Sequence, residues 1–272
     1  MQKRTFIKRL GQMAFVSPLI PQILSAQSQN NMGDGMDADA PDFWEKIRSD
    51  YDLKPDYINL ESGYYNIIPR PTLQKFQEHV RHVNYEGSHY MRTVQWDNKK
   101  AVAGRLARFV GCGEDELIIT RNATESLDMI ITGYPWQVGD EAIMAEQDYG
   151  AMLEHFKLAA KRYGVVNKLI SVPNHPTSDE EIVNLYKSQI TPKTKLIMVC
   201  HMVNITGHIL PIRKICDMAH EHGVEVLVDG AHCVGHFKVD ISELNCDYYG
   251  TSLHKWVATP LGAGFLYVAK RN

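Results

Sequence analysis

Lys255 stands in Thr251-Ser252-Leu253-His254-Lys255-Trp256, a lysine set among two hydroxyls and an imidazole. Upstream, Leu227-Val228-Asp229-Gly230-Ala231-His232 closes an apolar run on an aspartate. Neither piece means much alone. A lysine after a histidine is most often a surface residue, and an acid ending a Val/Leu strand is common in α/β proteins, where strand ends carry turns as well as sites. Together they match what a pyridoxal 5'-phosphate (PLP) site requires. The lysine amine forms a Schiff base with the aldehyde, and an aspartate keeps the pyridinium nitrogen protonated so that the ring accepts electrons. Hydroxyl and imidazole donors hold the phosphate.

Two further segments fall in the order such a site needs. Leu117-Ile118-Ile119-Thr120 runs into Arg121-Asn122-Ala123-Thr124-Glu125-Ser126 and then into a helical pattern at Leu127, Ile130 and Ile131. Thr124 or Asn122 would cap that helix, and its free amides and dipole would make an anion site. By itself the turn reads as an ordinary capped helix. Leu196-Ile197-Met198-Val199-Cys200 leads into His201-Met202-Val203-Asn204-Ile205-Thr206-Gly207, where Asn204 could donate to the phenolic oxygen of a pyridoxal ring or simply make a turn.

From about Tyr57 onward the chain resembles the class V aminotransferase family of fold-type I PLP enzymes, which includes cysteine desulfurases, selenocysteine lyases, kynureninases and isopenicillin N epimerases. It is most similar to the epimerase-like branch, through His254-Lys255-Trp256 followed by Pro260-Leu261-Gly262-Ala263-Gly264-Phe265-Leu266-Tyr267-Val268. Several separated motifs in one order make this specific. The resemblance implies that Lys255 is the Schiff-base lysine and that Ser252 and His254 contact the phosphate. Asp229 matches the pyridinium partner, His232 a position beside the ring oxygen, Asn204 the Asn-x-x-Gly loop, and Ala123-Thr124 the phosphate turn. The family carries a ring-stacking histidine after the strand at 141–145. Here Gln147 takes that place, with Tyr149 two residues on, and either one is a candidate to cover the ring.

The resemblance further implies a small-molecule amino substrate, a homodimer in the full-length protein, and a C-terminal small domain bringing a substrate-binding arginine. That domain is missing from this chain, which ends at Asn272. The expectation is therefore an incomplete enzyme, open to water on its lysine face. Transamination, epimerisation and β-elimination all start from the same steps, with Lys255 moving the α-proton. The alternatives are a cysteine desulfurase or C–S lyase, and an inactive cofactor-binding fragment.

The start of the chain reads differently. Residues 1–26 have a basic opening, Lys3-Arg4-Thr5-Phe6-Ile7-Lys8-Arg9, an apolar run from Leu10 to Leu24, and small residues at Ser25-Ala26. This is an export signal of twin-arginine type with Lys3 replacing the first arginine, which points to a periplasmic or exported protein; the alternative is an amphipathic tail on a cytoplasmic one. Residues 27–40 read as a polar linker, 41–100 as an N-terminal arm with a helix, and 101–272 as the PLP-binding large domain.

Net charge is −3 over 272 residues, which argues against nucleic-acid binding. No stretch past the signal is long and apolar enough for a stable membrane span. Five cysteines without spacing pattern argue against a disulfide framework. Cys233, beside His232, is a packing residue or a reactive thiol. Among the twelve histidines, His220 and His222 lie two apart on a helical pattern and do not share a face, and Gly235 disfavours the helix that would align His232 with His236, so no metal is expected. Apolar runs predict strands at 117–120, 141–145, 167–172, 195–200, 225–229, 247–250 and 264–268. Helical patterns lie at 72–85, 152–163, 178–189 and 212–222. The alternation predicts an α/β fold, a mainly parallel seven-stranded sheet, with the closely spaced last two strands forming an antiparallel edge.

Overall fold

The computed structural model describes residues 40–272. Residues 1–26, read above as an export signal, and nearly all of the expected linker lie outside the described residues. The chain falls into two compact units, one ending at Asp50 and one spanning Tyr51–Asn272. The first contributes helix α1, Phe43–Ser49.

The second unit begins with an extended arm and three helices: α2 at Arg70–Glu86, α3 at Ser88–Thr93 and α4 at Gln95–Val110. Helix α2 starts two residues earlier than its apolar pattern suggests. Pro71 sits in its first turn, where a missing amide costs nothing and the fixed φ is already helical. Strands β1 Leu117–Thr120, β2 Glu141–Ala145, β3 Val166–Ile170, β4 Thr194–Cys200, β5 Glu225–Asp229, β6 Tyr248–Ser252 and β7 Gly264–Val268 follow. They alternate with α5 Ala123–Gly133, α6 Gly150–Tyr163, α7 Asp179–Gln189, α8 Ile212–Glu221 and the single turn α9 Ile241–Leu244.

All seven strands join one sheet in the order β1-β7-β6-β5-β4-β2-β3. Every neighbouring pair is parallel except those made by β7, which runs antiparallel to both β6 and β1. The antiparallel strand is therefore not at the edge, as its sequence spacing suggested; β1 closes the sheet outside it. The loop 253–263 is too short for the crossover that a parallel return demands, so β7 folds straight back along β6. What fixes its other neighbour is pairing with a strand more than a hundred residues earlier, which local spacing does not encode.

The strands read as continuous apolar runs because both faces are covered. Ile143, Ile197, Val199, Val226 and Val228 pack toward α4, α7 and α8, joined by Ile182, Tyr186 and Ile215. Their strand neighbours Ala142, Met144, Leu196, Met198 and Leu227 face α5 and α6 through Leu127, Ile131, Met152 and Phe156. Each such buried Val, Leu, Ile, Met or Phe side chain contributes about 1.5–3 kcal/mol relative to exposure. No helix among the described residues is long and apolar enough to cross a membrane.

Asp247 anchors the end of the sheet away from the strand C-termini. Its carboxylate accepts from the Val226 amide at 2.7 Å, His220 at 2.8 Å and Arg271 at 2.9 Å. Burial opposes ionisation here, but these hydrogen bonds outweigh it and hold the carboxyl below its ordinary value. A folded-state pKa below the unfolded one gives stability that is present above the unfolded value and lost as pH falls through the folded one. Asp247→Asn should cost about 1.5–3 kcal/mol in urea unfolding at neutral pH, the range for hydrogen bonds to a charged group. The gap from the wild type should close as the pH drops below about 3.9.

Candidate active site

The parallel strands deliver their C-terminal ends to one edge of the sheet. Cys200 pairs with Asp229, Asp229 with Gly250, and Ser252 and Thr120 both with Gly264. Loops leaving these ends enclose a cavity of about 430 Å³, large enough for a small cofactor. Its lining includes Ala123, Thr124, Tyr149, Asn204, Asp229, His232, Ser252, His254 and Lys255, nine of the ten residues singled out in the sequence.

Gln147 is the exception. Its amide is committed elsewhere, accepting from the Val172 amide at 2.9 Å and donating to Ser171 Oγ at 3.1 Å. Both ends of the side chain are held by the segment after β3, so it does not line the cavity. Tyr149, at the start of α6, does, with 41% of its surface exposed. Of the two candidates for covering a ring, the structure brings only the tyrosine to the site.

The turn before α5 has the form of an anion cradle. Asn122, not Thr124, is the cap: its side chain accepts from the Glu125 amide at 2.8 Å. The Ala123 amide donates to Ser252 Oγ at 2.9 Å, tying this turn to the lysine loop. The Thr124 amide has no partner among the described residues and stands at the helix N-terminus with the cavity beside it. A negatively charged group there would gain both a donor and the helix dipole. The close approach depends on Gly264, where a Cβ would lie 2.5 Å from Thr251 O and 2.8 Å from the Asn122 backbone.

Asp229 is 4% exposed, and its Oδ1 accepts from the Ala231 amide at 2.9 Å. Burial raises its pKa, while that hydrogen bond and Lys255 oppose the rise. A buried carboxylate at a strand end, facing a cavity with one cation nearby, fits a protonated ring nitrogen. Lys255 Nζ lies 3.1 Å from His232 Nε2. Burial lowers the lysine pKa, against the pull of Asp229, Cys200 and Glu61. Burial and the Lys255 charge push His232 down to about 4, so its ring is neutral at physiological pH. His254 is also lowered by burial and meets the Ala263 carbonyl at 3.3 Å. Lysine amine, buried acid, free amide and hydroxyl thus fit the aldehyde, ring nitrogen and phosphate of PLP.

Other groups at or near the site, Cys233 apart, carry no sequence signal that singles them out. Glu61, Gly63 and Tyr64 come from the extended arm and line the cavity. Asp148 lies between the two residues weighed above, yet it is buried and accepts from the Ala145 amide at 2.8 Å. Burial pushes its pKa up to about 8, and Asp229 adds to the rise. His201, buried and 3.1 Å from the Tyr249 hydroxyl, is pushed down to about 4 by burial. Cys233 is fully buried and its thiol is pushed up to about 12, so it is a packing residue and not a nucleophile.

Comparison with known proteins agrees with this geometry. The chain is 28% identical over 230 residues to isopenicillin N epimerase of Streptomyces clavuligerus, covering 83% of this chain and 57% of that protein. It is 29% identical over 242 residues to a probable cysteine desulfurase of Synechocystis sp., covering 84% and 56%. Among solved structures, a mutant of C-DES with glycine covalently linked to its PLP cofactor superposes with TM-score 0.74 at 25% identity, covering 82% of this chain and 60% of that one. The chain thus spans a little over half the length of the curated relatives it matches. The pattern of aminotransferase class V runs from Asn66, ahead of the arm helices, through the lysine loop to Asn272, and the chain belongs to that family.

Proposed function

We propose that this chain is the cofactor-binding body of a PLP-dependent enzyme that acts on an amino acid or amine, of the isopenicillin N epimerase-like kind. The observation that carries this is the convergence of Lys255, Asp229 and the Asn122–Thr124 turn on one cavity. When bound, PLP supplies an electron sink for the bonds at the substrate α-carbon. Lys255 Nζ would hold the cofactor and would take and return the substrate α-proton; burial lowers its affinity for a proton of its own. Asp229 holds a proton at the ring nitrogen. Thr124, Ser252 and His254 hold the phosphate, Asn204 and His232 stand by the phenolic oxygen, and Tyr149 covers the ring in place of Gln147.

Residues 41–100 form the arm and 101–272 the body in this reading. The full-length protein is a homodimer, and Leu73, Phe76 and Val80 form an exposed apolar stripe at helical spacing on α2 that a second copy would cover. Export rests on the sequence of residues 1–26, and cell fractionation tests it.

The second reading, a cysteine desulfurase or C–S lyase, is favoured by the likeness to C-DES, a cystine C–S lyase. Full-length protein purified with PLP should be yellow; a colourless protein would mean an inactive remnant. Incubation with a panel of amino acids should then give stereochemical inversion or a keto acid. Sulfide or persulfide from cysteine or cystine, without those products, would establish the lyase reading instead.

A further inference from the structure

Trp256 follows the cofactor lysine in the chain, yet its side chain reaches the residue that touches that lysine. The indole Nε1 donates to His232 Nδ1 at 3.4 Å, while His232 Nε2 faces Lys255 Nζ at 3.1 Å. The indole is itself held in place. His236 stacks on it, with ring centroids 3.8 Å apart and planes 10° from parallel, and His236 Nδ1 meets the His232 carbonyl at 3.1 Å.

An indole nitrogen donates and never accepts. His232 Nδ1 must therefore carry the lone pair. In a neutral imidazole the proton then sits on Nε2, the atom aimed at Lys255. An ammonium at Nζ would set its hydrogens against that N–H, whereas a free amine accepts from it. We propose that Trp256 is a positioning residue: it fixes His232 as the Nε2–H tautomer, so that the imidazole presents a donor to Lys255 Nζ and favours the amine that carries its electron pair. Such an amine is the form that attacks an aldehyde or takes an α-proton. That catalytic consequence rests on the reading of Lys255 as the cofactor lysine; the hydrogen-bond chain does not.

The other groups facing Lys255 are Asp229 from β5, Cys200 from β4, Glu61 from the arm and His254 from its own loop. Asp229, Cys200 and Glu61 favour the ammonium, and burial disfavours it. The His232 donor adds to burial on the side of the free amine.

The test uses the cofactor-free full chain and two readouts. Imidazole nitrogen chemical shifts of 15N-histidine-labelled protein should show His232 protonated at Nε2. Trace acetylation of Lys255 with acetic anhydride across pH, read by mass spectrometry, gives its titration. Trp256→Phe keeps a ring to stack on His236 but lacks the N–H, and should move that titration upward by about one unit. In a His232→Ala background the same substitution should move nothing, because the relay is already broken. An Nδ1–H tautomer in the wild type would overturn the proposal. So would an unchanged Lys255 titration in folded Trp256→Phe, or an equal shift in the His232→Ala background. If Trp256→Phe does not fold, the wild-type nitrogen shifts alone decide. None of these measurements needs bound PLP, so a failure here is distinct from a failure of the proposed function.

Discussion

Lys255→Ala is expected to abolish the covalent cofactor adduct that borohydride reduction otherwise traps. Lys255 is the one lysine among the described residues that lines the cavity, and burial lowers its pKa toward the reactive free amine. Lys214, for comparison, is held in surface ion pairs with Asp179 and Glu180, and Lys168 sits beside Glu141 at the opposite end of the strands. The anion turn does not depend on the lysine, so the variant should still bind PLP, without a covalent link. Peptide mapping after reduction reads the result. A pyridoxyl group on any lysine but Lys255, in wild type or variant, sinks the assignment.

Asp229→Ala is the second large effect. The turn at Asn122–Thr124, with its free Thr124 amide, stays intact, so cofactor binding should survive in part. Turnover should not. Removing one partner of a buried charge pair costs about 3–5 kcal/mol, which is about two to four orders of magnitude in rate. Asp148 is no substitute, because it does not line the cavity and its Oδ2 accepts from the Ala145 amide. Steady-state kinetics beside PLP titration separates the two outcomes. Near-normal turnover would mean that Asp229 is not the partner of the ring nitrogen.

Lys255 was legible in the sequence through the hydroxyls and imidazole around it, and Asp229 through its place on a strand. A strand buried on both faces must be apolar throughout, so an acid at its last position stands out, at a place where turns and sites both occur. The same reasoning marked Cys200 and Thr120 as strand ends and placed the turns at Asn122 and Asn204 beside them. Six of the seven strands also reveal their parallel setting, since connections of crossover length separate β1 to β6.

Tertiary structure alone decided the rest. The interior place of β7 follows from pairing with β1, a contact between residues far apart in the chain. Gln147 and Tyr149 lie in a turn, where no period assigns faces; only the Ser171 and Val172 partners show that the glutamine is held away. Glu61 and Tyr64 reach the cavity because the arm folds over the strand ends, and nothing in their own neighbourhood announces it. Asp148 looks like any loop acid until its burial is seen. His232 was expected as a cofactor contact through the family resemblance. Its tautomer was not, because that is fixed by an indole that local sequence shows only as the residue after Lys255. Strand patterning is a local property of burial, and the sequence carries it residue by residue. Strand order, cavity walls and the direction of a hydrogen bond are set by atoms that meet only when the chain is folded.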